Sequence, residues 1–275
     1  ALTMVPALFC KTQPVREEDL ATLSREKLSE NIAALLKGFK QAFQCAPFRK
    51  LCIATFFVFN AFNTVAGFSF FIIVYYMFQG DAAAAGTWPA WFGTGSALAT
   101  SFLVIPVITY LSQRLGKKNT FLVSQSISIL GYASFWWCFN PDYPALMFLP
   151  LPLFAFGIGS LFTMMMSMTA DVCDLNELET GTRSEGVFGA IYWWMVKFGF
   201  AIAGLLSGVI LWVVGFDQNV AAQPQAALDS LKMAYIVVPV VGTMIAMAVM
   251  FRYDLSEKKA HEIRAELEVR RAIAT

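Results

Sequence analysis

The strongest constraint in this chain of 275 residues is the recurrence of long apolar runs, each closed by a short polar stretch. A helix of about 20 apolar residues covers the roughly 30 Å hydrocarbon core of a bilayer, and helices or closed barrels are what can satisfy the backbone there. Six such runs lie at about 51–78, 88–112, 120–139, 144–170, 186–215 and 233–251. They predict an all-α membrane protein, a bundle of six transmembrane helices. Composition agrees: 57% of residues are hydrophobic and 14% charged, about half the charge content of an ordinary soluble domain.

Basic residues gather on alternate sides of these runs. Residues 11–50 carry eight, the turn between the second and third runs carries Arg114, Lys117 and Lys118, the stretch 171–185 carries Arg183, and the tail from Arg252 is rich in them. The intervening connections QGDAAAAGTWP, NPDYP and FDQNVAAQPQAALDS carry none. Lysine and arginine are retained on the cytoplasmic side, so both ends of the six-span domain are predicted to be cytoplasmic. Of the 20 basic residues, Lys197 and Lys232 depart from the pattern. A net charge of +1 with its basic groups placed this way excludes a nucleic-acid partner. The five cysteines, Cys10, Cys45, Cys52, Cys138 and Cys173, form no CxxC and read as reduced packing residues.

Residues 1–9, ALTMVPALF, are too short to span and lack the basic flank of a signal peptide, so they read as the end of a preceding transmembrane helix. Residues 10–50 read as a cytoplasmic linker. Within it Ile32, Leu35, Leu36, Phe39 and Phe43 share one side of an amphipathic helix at the membrane surface. Residues 51–252 form the six-helix domain and 253–275 a cytoplasmic tail. The tail segment KKAHEIRAELEVRR reads as a solvated or surface-lying helix in which His261 has no assigned role.

The fifth run contains one charge, Lys197, between residues 192 and 216. Lys197 lies twelve positions beyond Glu185 (197 − 185), or about 18 Å along the helix. A charge that deep costs about 2.5–3.5 kcal/mol to insert, so it should face the bundle interior or a wet cavity and have a partner. Gly186, Ala190, Trp193, Lys197, Ala201, Gly204 and Gly208 share a narrow stripe, the pattern of a face packed on other helices or opened to water. The lysine either looks into the bundle interior or a wet cavity, or is the counter-ion of a structural carboxylate. Around it stand Tyr192, Trp193 and Trp194, rings that stack on the apolar face of a sugar or pack against lipid and core. Trp193 shares the stripe and is the preferred solute contact. In the first run Asn60 and Asn63 are one turn apart, as solute contacts or as interhelical hydrogen bonders.

The fourth run ends LFTMMMSMTADVCDLNELETGTRSEG, where steps of three and four align Ser160, Thr163, Ser167, Asp171 and Asp174 on one helical face. The carboxylates are either a solvated helix end or members of an ion-pair network. Carboxylates at a helix C-terminus meet the negative end of its dipole, which calls for a cation nearby. Arg183 is the expected one, with Glu177 and Glu185 completing a cytoplasmic network that breaks and reforms.

The string Ala170, Asp171, Asp174, Glu177, Thr180, Gly181, Arg183, Glu185 and Gly186, followed by Lys197, resembles the second-half signature of the glycoside, pentoside and hexuronide cation symporters, the melibiose-permease group of the major facilitator superfamily. Asn60 and Asn63 ahead of Gly67, the RLGKK turn and the amphipathic stretch before the first run extend the likeness over nearly the whole chain. The resemblance implies the C-terminal half of a symporter in a bacterial inner membrane, coupled to Na⁺ or H⁺ and needing no other cofactor. Its partners would be the N-terminal six-helix half of the same protein, a small hydrophilic solute and the lipid bilayer. Lys197 would sit beside the shared sugar and cation sites. The departure is the missing first half, where that family's cation-binding carboxylates mostly lie. A lysolipid transporter of the same fold and a self-contained six-span protein are the alternatives. Nothing in the chain resembles a phosphate loop, a metal cluster or a nucleophile with its base, so no enzyme chemistry is expected.

Overall fold

The computed structural model describes residues 38–40, 42–181, 183–217, 220 and 223–274, and among these residues it is helical, without strands. The expected helix end at 1–9 and most of the linker, including Ile32, Leu35 and Leu36, lie outside the described residues. Residues 38–40 and 42–44 are helical. There Phe39 stacks on Phe43 at 5.0 Å and Phe43 meets Phe48 edge-on at 6.4 Å, so this piece of the amphipathic helix turns rings toward the bundle.

Seven helical runs follow: α1 Ala46–Met77, α2 Ala82–Leu115, α3 Lys117–Cys138, α4 Pro144–Thr180, α5 Glu185–Val213, α6 Gln225–Phe251 and α7 Glu257–Ala274. By length and composition α1, α2, α4, α5 and α6 can cross a membrane, which makes five helices of that kind among the described residues where six were expected. The remaining run is α3, whose 22 residues reach about 33 Å. Its composition falls short because Ser124, Gln125 and Ser128 are polar, yet each is fully buried. Gln125 Nε2 donates to the Gly157 carbonyl at 3.0 Å and to Ser160 Oγ at 3.1 Å, and Ser128 Oγ donates to the Phe154 carbonyl at 3.0 Å. Glycine makes this approach to α4 possible: a Cβ at Gly131 would lie 2.3 Å from the Phe154 nitrogen, and one at Gly157 would lie 2.5 Å from Ser128 Oγ.

Some of the irregularities fall near prolines. A proline ring collides with the carbonyl four residues back and supplies no N–H. A π-helical stretch, Ala99–Val104, accordingly lies just ahead of Pro106 in α2. Pro150 and Pro152 mark the passage in α4 from a 3-10 turn, Pro144–Phe148, to regular helix, and Pro239 lies inside α6. Two further π stretches, Ile72–Met77 at the end of α1 and Leu161–Met165 within α4, have no proline in or next to them. Gly181 then stops that helix at φ +72°, a left-handed conformation that costs a residue with a Cβ.

Buried side chains form two layers. One joins Phe48, Phe188, Tyr192 and Met250 near the end bearing Lys117 and Arg183, hereafter the charged end. The other joins Phe68, Ile72, Phe135, Phe139 and Tyr235 toward the opposite end. The tail is a helix with most of its residues exposed and one face docked. Ala260, Ile263 and Leu267 of α7, spaced as one helical face, are at most 8% exposed and belong to the first layer, while His261 stays exposed. The apolar positions are too few to mark a span but enough to dock a helix.

Candidate functional site

At the charged end, the last turns of α4 present acids to three other elements. Arg183 donates to Asp174 at 3.2 Å, to Glu177 at 2.6 Å and to Glu185, which unites four of the expected network residues. Hydrogen bonds to Glu185 first and Glu177 second raise the Arg183 pKa above its ordinary value, so the guanidinium is always charged. Asp171 is the exception to the expected pairing. It lies about one turn deeper, is 6% exposed, and pairs with Lys117 at 2.5 Å and Arg264 at 3.4 Å instead of with Arg183. Arg264 also reaches Asp174 at 3.6 Å, and Arg271 reaches Glu177 at 2.8 Å.

Sequence reasoning missed Lys117, Arg264 and Arg271 as members of this network. Lys117 was visible as part of a basic turn, and the tail arginines follow from the apolar face at 260, 263 and 267 that docks α7. Four acids, Asp171, Asp174, Glu177 and Glu185, thus meet four cations drawn from α3, the α4–α5 turn and α7. Arg183, Arg264 and Arg271 are about half open to solvent while Asp171, Asp174 and Glu177 are largely buried, so partners can exchange from the solvent side, where an exposed ion pair is worth only about 0–1 kcal/mol.

The second assembly is the face of α5. Gly186, Ala190, Trp193, Lys197, Ala201, Gly204 and Gly208 are all exposed, and a Cβ added at Gly186, Gly204 or Gly208 would meet nothing within 4 Å. Lys197 forms no ion pair among the described residues. The other side of α5, with Phe188, Ile191, Val196, Gly199 and Ala203, is buried. Gly199 lets α1 approach closely, since a Cβ there would lie 3.2 Å from Phe59 Cβ.

This division separates the expected aromatic group. Trp193 is 45% exposed on the lysine's face. Trp194 stacks on Phe198 at 5.4 Å and meets Phe39 edge-on at 6.5 Å. Tyr192 is 2% exposed and belongs to the core layer, so it does not share the open face expected of a solute contact. Adjacent helical positions point about 100° apart, which suffices to place one ring in the core and the next outside it. Asn60 is 8% exposed and spans to α5, its Nδ2 3.5 Å from the Gly199 carbonyl. Asn63 donates to the Phe59 carbonyl of its own helix at 2.8 Å. These contacts match the interhelical alternative for Asn60 and leave Asn63 half-buried.

Lys232, the other topological exception, is 7% exposed near the start of α6. Its ammonium donates to Tyr76 Oη at 2.9 Å and to the Phe139 carbonyl at 3.2 Å, and lies 4.5 Å from the Tyr76 ring and 5.1 Å from the Trp136 ring. Phe139 caps the C-terminus of α3, where free carbonyls favour a cation.

A profile of the MFS/sugar transport protein family matches residues 1–257. Among curated relatives, the chain is 29% identical over 168 residues to the glucuronide carrier protein homolog of Escherichia coli (strain K12), covering 61% of this chain and 36% of the relative. It is 27% identical over 241 residues to a putative sulfoquinovose importer of the same organism, covering 87% and 49%. A putative glycoside/cation symporter, also of that organism, is 30% identical over 131 residues, covering 48% and 28%. The matched region thus spans less than half of each of these relatives. The extent of the profile match, over helices long and apolar enough to cross a membrane, leads to one conclusion: the chain belongs to the MFS/sugar transport protein family, a family of membrane transporters and not of enzymes.

Proposed function

We propose that this chain forms the C-terminal half of a cation-coupled symporter for a sugar, glycoside or similar small hydrophilic solute, with α1 to α6 as its six spans. The charged end then lies in the cytoplasm of a bacterial cell and α3 is the sixth span, its polar face sealed against α4. The observation that carries this reading is Lys197, a deep cation on an open stripe of small residues without a partner among the described residues. A charge in that position needs carboxylates or water, and a second bundle closing over α5 would supply both. The relatives bear the names of carriers for glucuronides, sulfoquinovose and glycosides, which supports a hydrophilic sugar-like solute.

In this reading Lys197 and Trp193 contribute to the solute and cation site, Asn60 and Asn63 shape α1 beside it, and Tyr192 supports α5 from behind. Asp171, Asp174, Glu177, Arg183 and Glu185 form the cytoplasmic gate. A gate built of exchangeable pairs suits alternating access, in which one bundle rocks against the other around a central site. The test is uptake of labelled glycosides and uronides by the intact protein in proteoliposomes under an imposed Na⁺ or H⁺ gradient. Accumulation above the external concentration with one gradient, and equilibration without it, is the expected result. Absence of gradient-driven accumulation for every sugar offered would overturn the symporter reading.

A further inference from the structure

At the charged end, the final turns of α6 and the first turn of α1 enclose a groove of about 660 Å³ lined by Lys50, Ile245, Ala248, Val249, Phe251 and Arg252. Its chemistry is divided. Ile245, Ala248, Val249 and Phe251 make an aliphatic and aromatic wall along a helix apolar enough to span, and Phe251 is 72% exposed. The rim is cationic. Lys50 donates to Asp254 and to the Arg252 carbonyl, and Lys118 donates to the Tyr253 carbonyl at 3.1 Å with its ammonium 5.9 Å from the Phe251 ring. Arg252 is exposed and its guanidinium has no ion pair among the described residues. Of the acids of this stretch, Asp254 is paired with Lys50, and the Glu257 carboxylate lies beside Gly116 at the start of α3, where it would meet any added Cβ.

We propose that this groove is a binding site for an anionic phospholipid, with the phosphodiester held by Arg252 and supported by Lys50 and Lys118, and an acyl chain laid along Ile245, Ala248 and Val249. Charge complementarity selects the headgroup. Three cations, Lys50, Lys118 and Arg252, stand against two carboxylates, of which Asp254 is paired with Lys50 and Glu257 lies toward Gly116, and a planar guanidinium binds two phosphate oxygens at once. The apolar wall selects a lipid over a soluble phosphate, which would leave that surface unused, and basic pockets beside helix ends at the cytoplasmic face are where acidic headgroups bind. The site requires the membrane placement of α1 and α6 but not the transport reading, so binding and transport can fail independently.

The test uses the intact protein, delipidated in neutral detergent and titrated separately with phosphatidylglycerol, phosphatidylcholine and glycerol 3-phosphate, with bound lipid counted by native mass spectrometry and Tm followed alongside. Phosphatidylglycerol is expected to bind and raise Tm, the other two to do neither. Arg252→Ala should weaken phosphatidylglycerol binding about tenfold, the loss of a charge-assisted contact, and Arg252→Lys should retain part of it. Ala248→Trp, at an exposed position, fills the groove and should abolish binding with the cations intact. Equal binding of phosphatidylcholine would mean apolar contact alone, and equal binding of glycerol 3-phosphate a free-anion site. Either result, or undiminished phosphatidylglycerol binding in both the Arg252→Ala and the Ala248→Trp variants, overturns the proposal.

Discussion

Lys232 and Lys197 are each a cation in a long apolar helix, and their surroundings are opposite. Lys232 is enclosed by its own bundle, with a phenol, a helix-end carbonyl and two aromatic faces in place of a carboxylate. Lys197 has nothing comparable and lies on a face where three glycines meet open space. A cation satisfied by hydrogen-bond acceptors and ring quadrupoles is a fastener for the helices that supply them. A cation left open is available to something outside those helices. The acids of the proposed gate extend the contrast, since they are paired within the chain, with cations that are themselves about half open to solvent.

The largest effect that can break this comparison is at Lys197. Lys197→Met removes the charge without a large void, and any carboxylate that relied on it becomes harder to ionise, because desolvation raises its pKa. Gradient-driven accumulation by the intact protein in vesicles should collapse while membrane insertion persists, since losing a buried charge eases insertion. Lys197→Arg should rescue poorly, because a planar fork does not replace a compact ammonium. Near-normal accumulation by Lys197→Met would reduce the residue to a structural counter-ion and erase its contrast with Lys232.

The converse holds for Lys232. Lys232→Met strips Tyr76 Oη and the Phe139 carbonyl of their donor and should cost about 1–3 kcal/mol of stability, read as a lower Tm in detergent. Transport by the protein that remains folded should stay within a few-fold of normal. A Lys232→Met variant that keeps its Tm and loses transport would assign this lysine to the pathway and reverse the distinction.

Changes at the gate should be smaller. Arg183→Ala leaves Asp174, Glu177 and Glu185 with fewer cations and should slow exchange between outward and inward states, with solute affinity changed only a few-fold. Lost affinity with normal exchange kinetics would contradict a gating role. Smaller still, Arg264→Ala combined with Arg271→Ala should loosen α7 by about 0–1 kcal/mol per pair, detected as faster protease cleavage within residues 257–274. The apolar face at Ile263 and Leu267 should keep α7 docked, so complete release in the double variant would show that charge and not burial holds it.

The faintest expected effect is one of pH. A hydrogen bond from Lys50 holds the Asp254 carboxyl below the usual carboxylate range. A depressed folded value contributes stability above the unfolded pKa of about 3.9 and loses it as pH falls through the folded value. Hydrogen exchange at the start of α7 should therefore quicken only at strongly acidic pH, and a step near neutrality would point to another group.

Much of this was legible without coordinates. Run lengths located five helices long and apolar enough to cross a membrane, the alternation of basic residues separated the two ends, and a period of 3.6 aligned Trp193 with Lys197 and put Asp171 and Asp174 on one side of α4. Those are properties of one helix in one solvent, and local periodicity encodes them. What touches each face is a different matter. Asp171 takes Lys117 from 54 positions away instead of the nearer Arg183, Lys232 finds Tyr76 across 156 positions, and Gln125 finds the Gly157 carbonyl across 32. The same packing turned Tyr192 inward, made α3 polar in composition yet sealed in place, and drew a charged tail against the core. The sequence by itself determined which residues require partners. Only the tertiary structure decided who those partners are, because that depends on how separate helices cross and where glycine lets them approach.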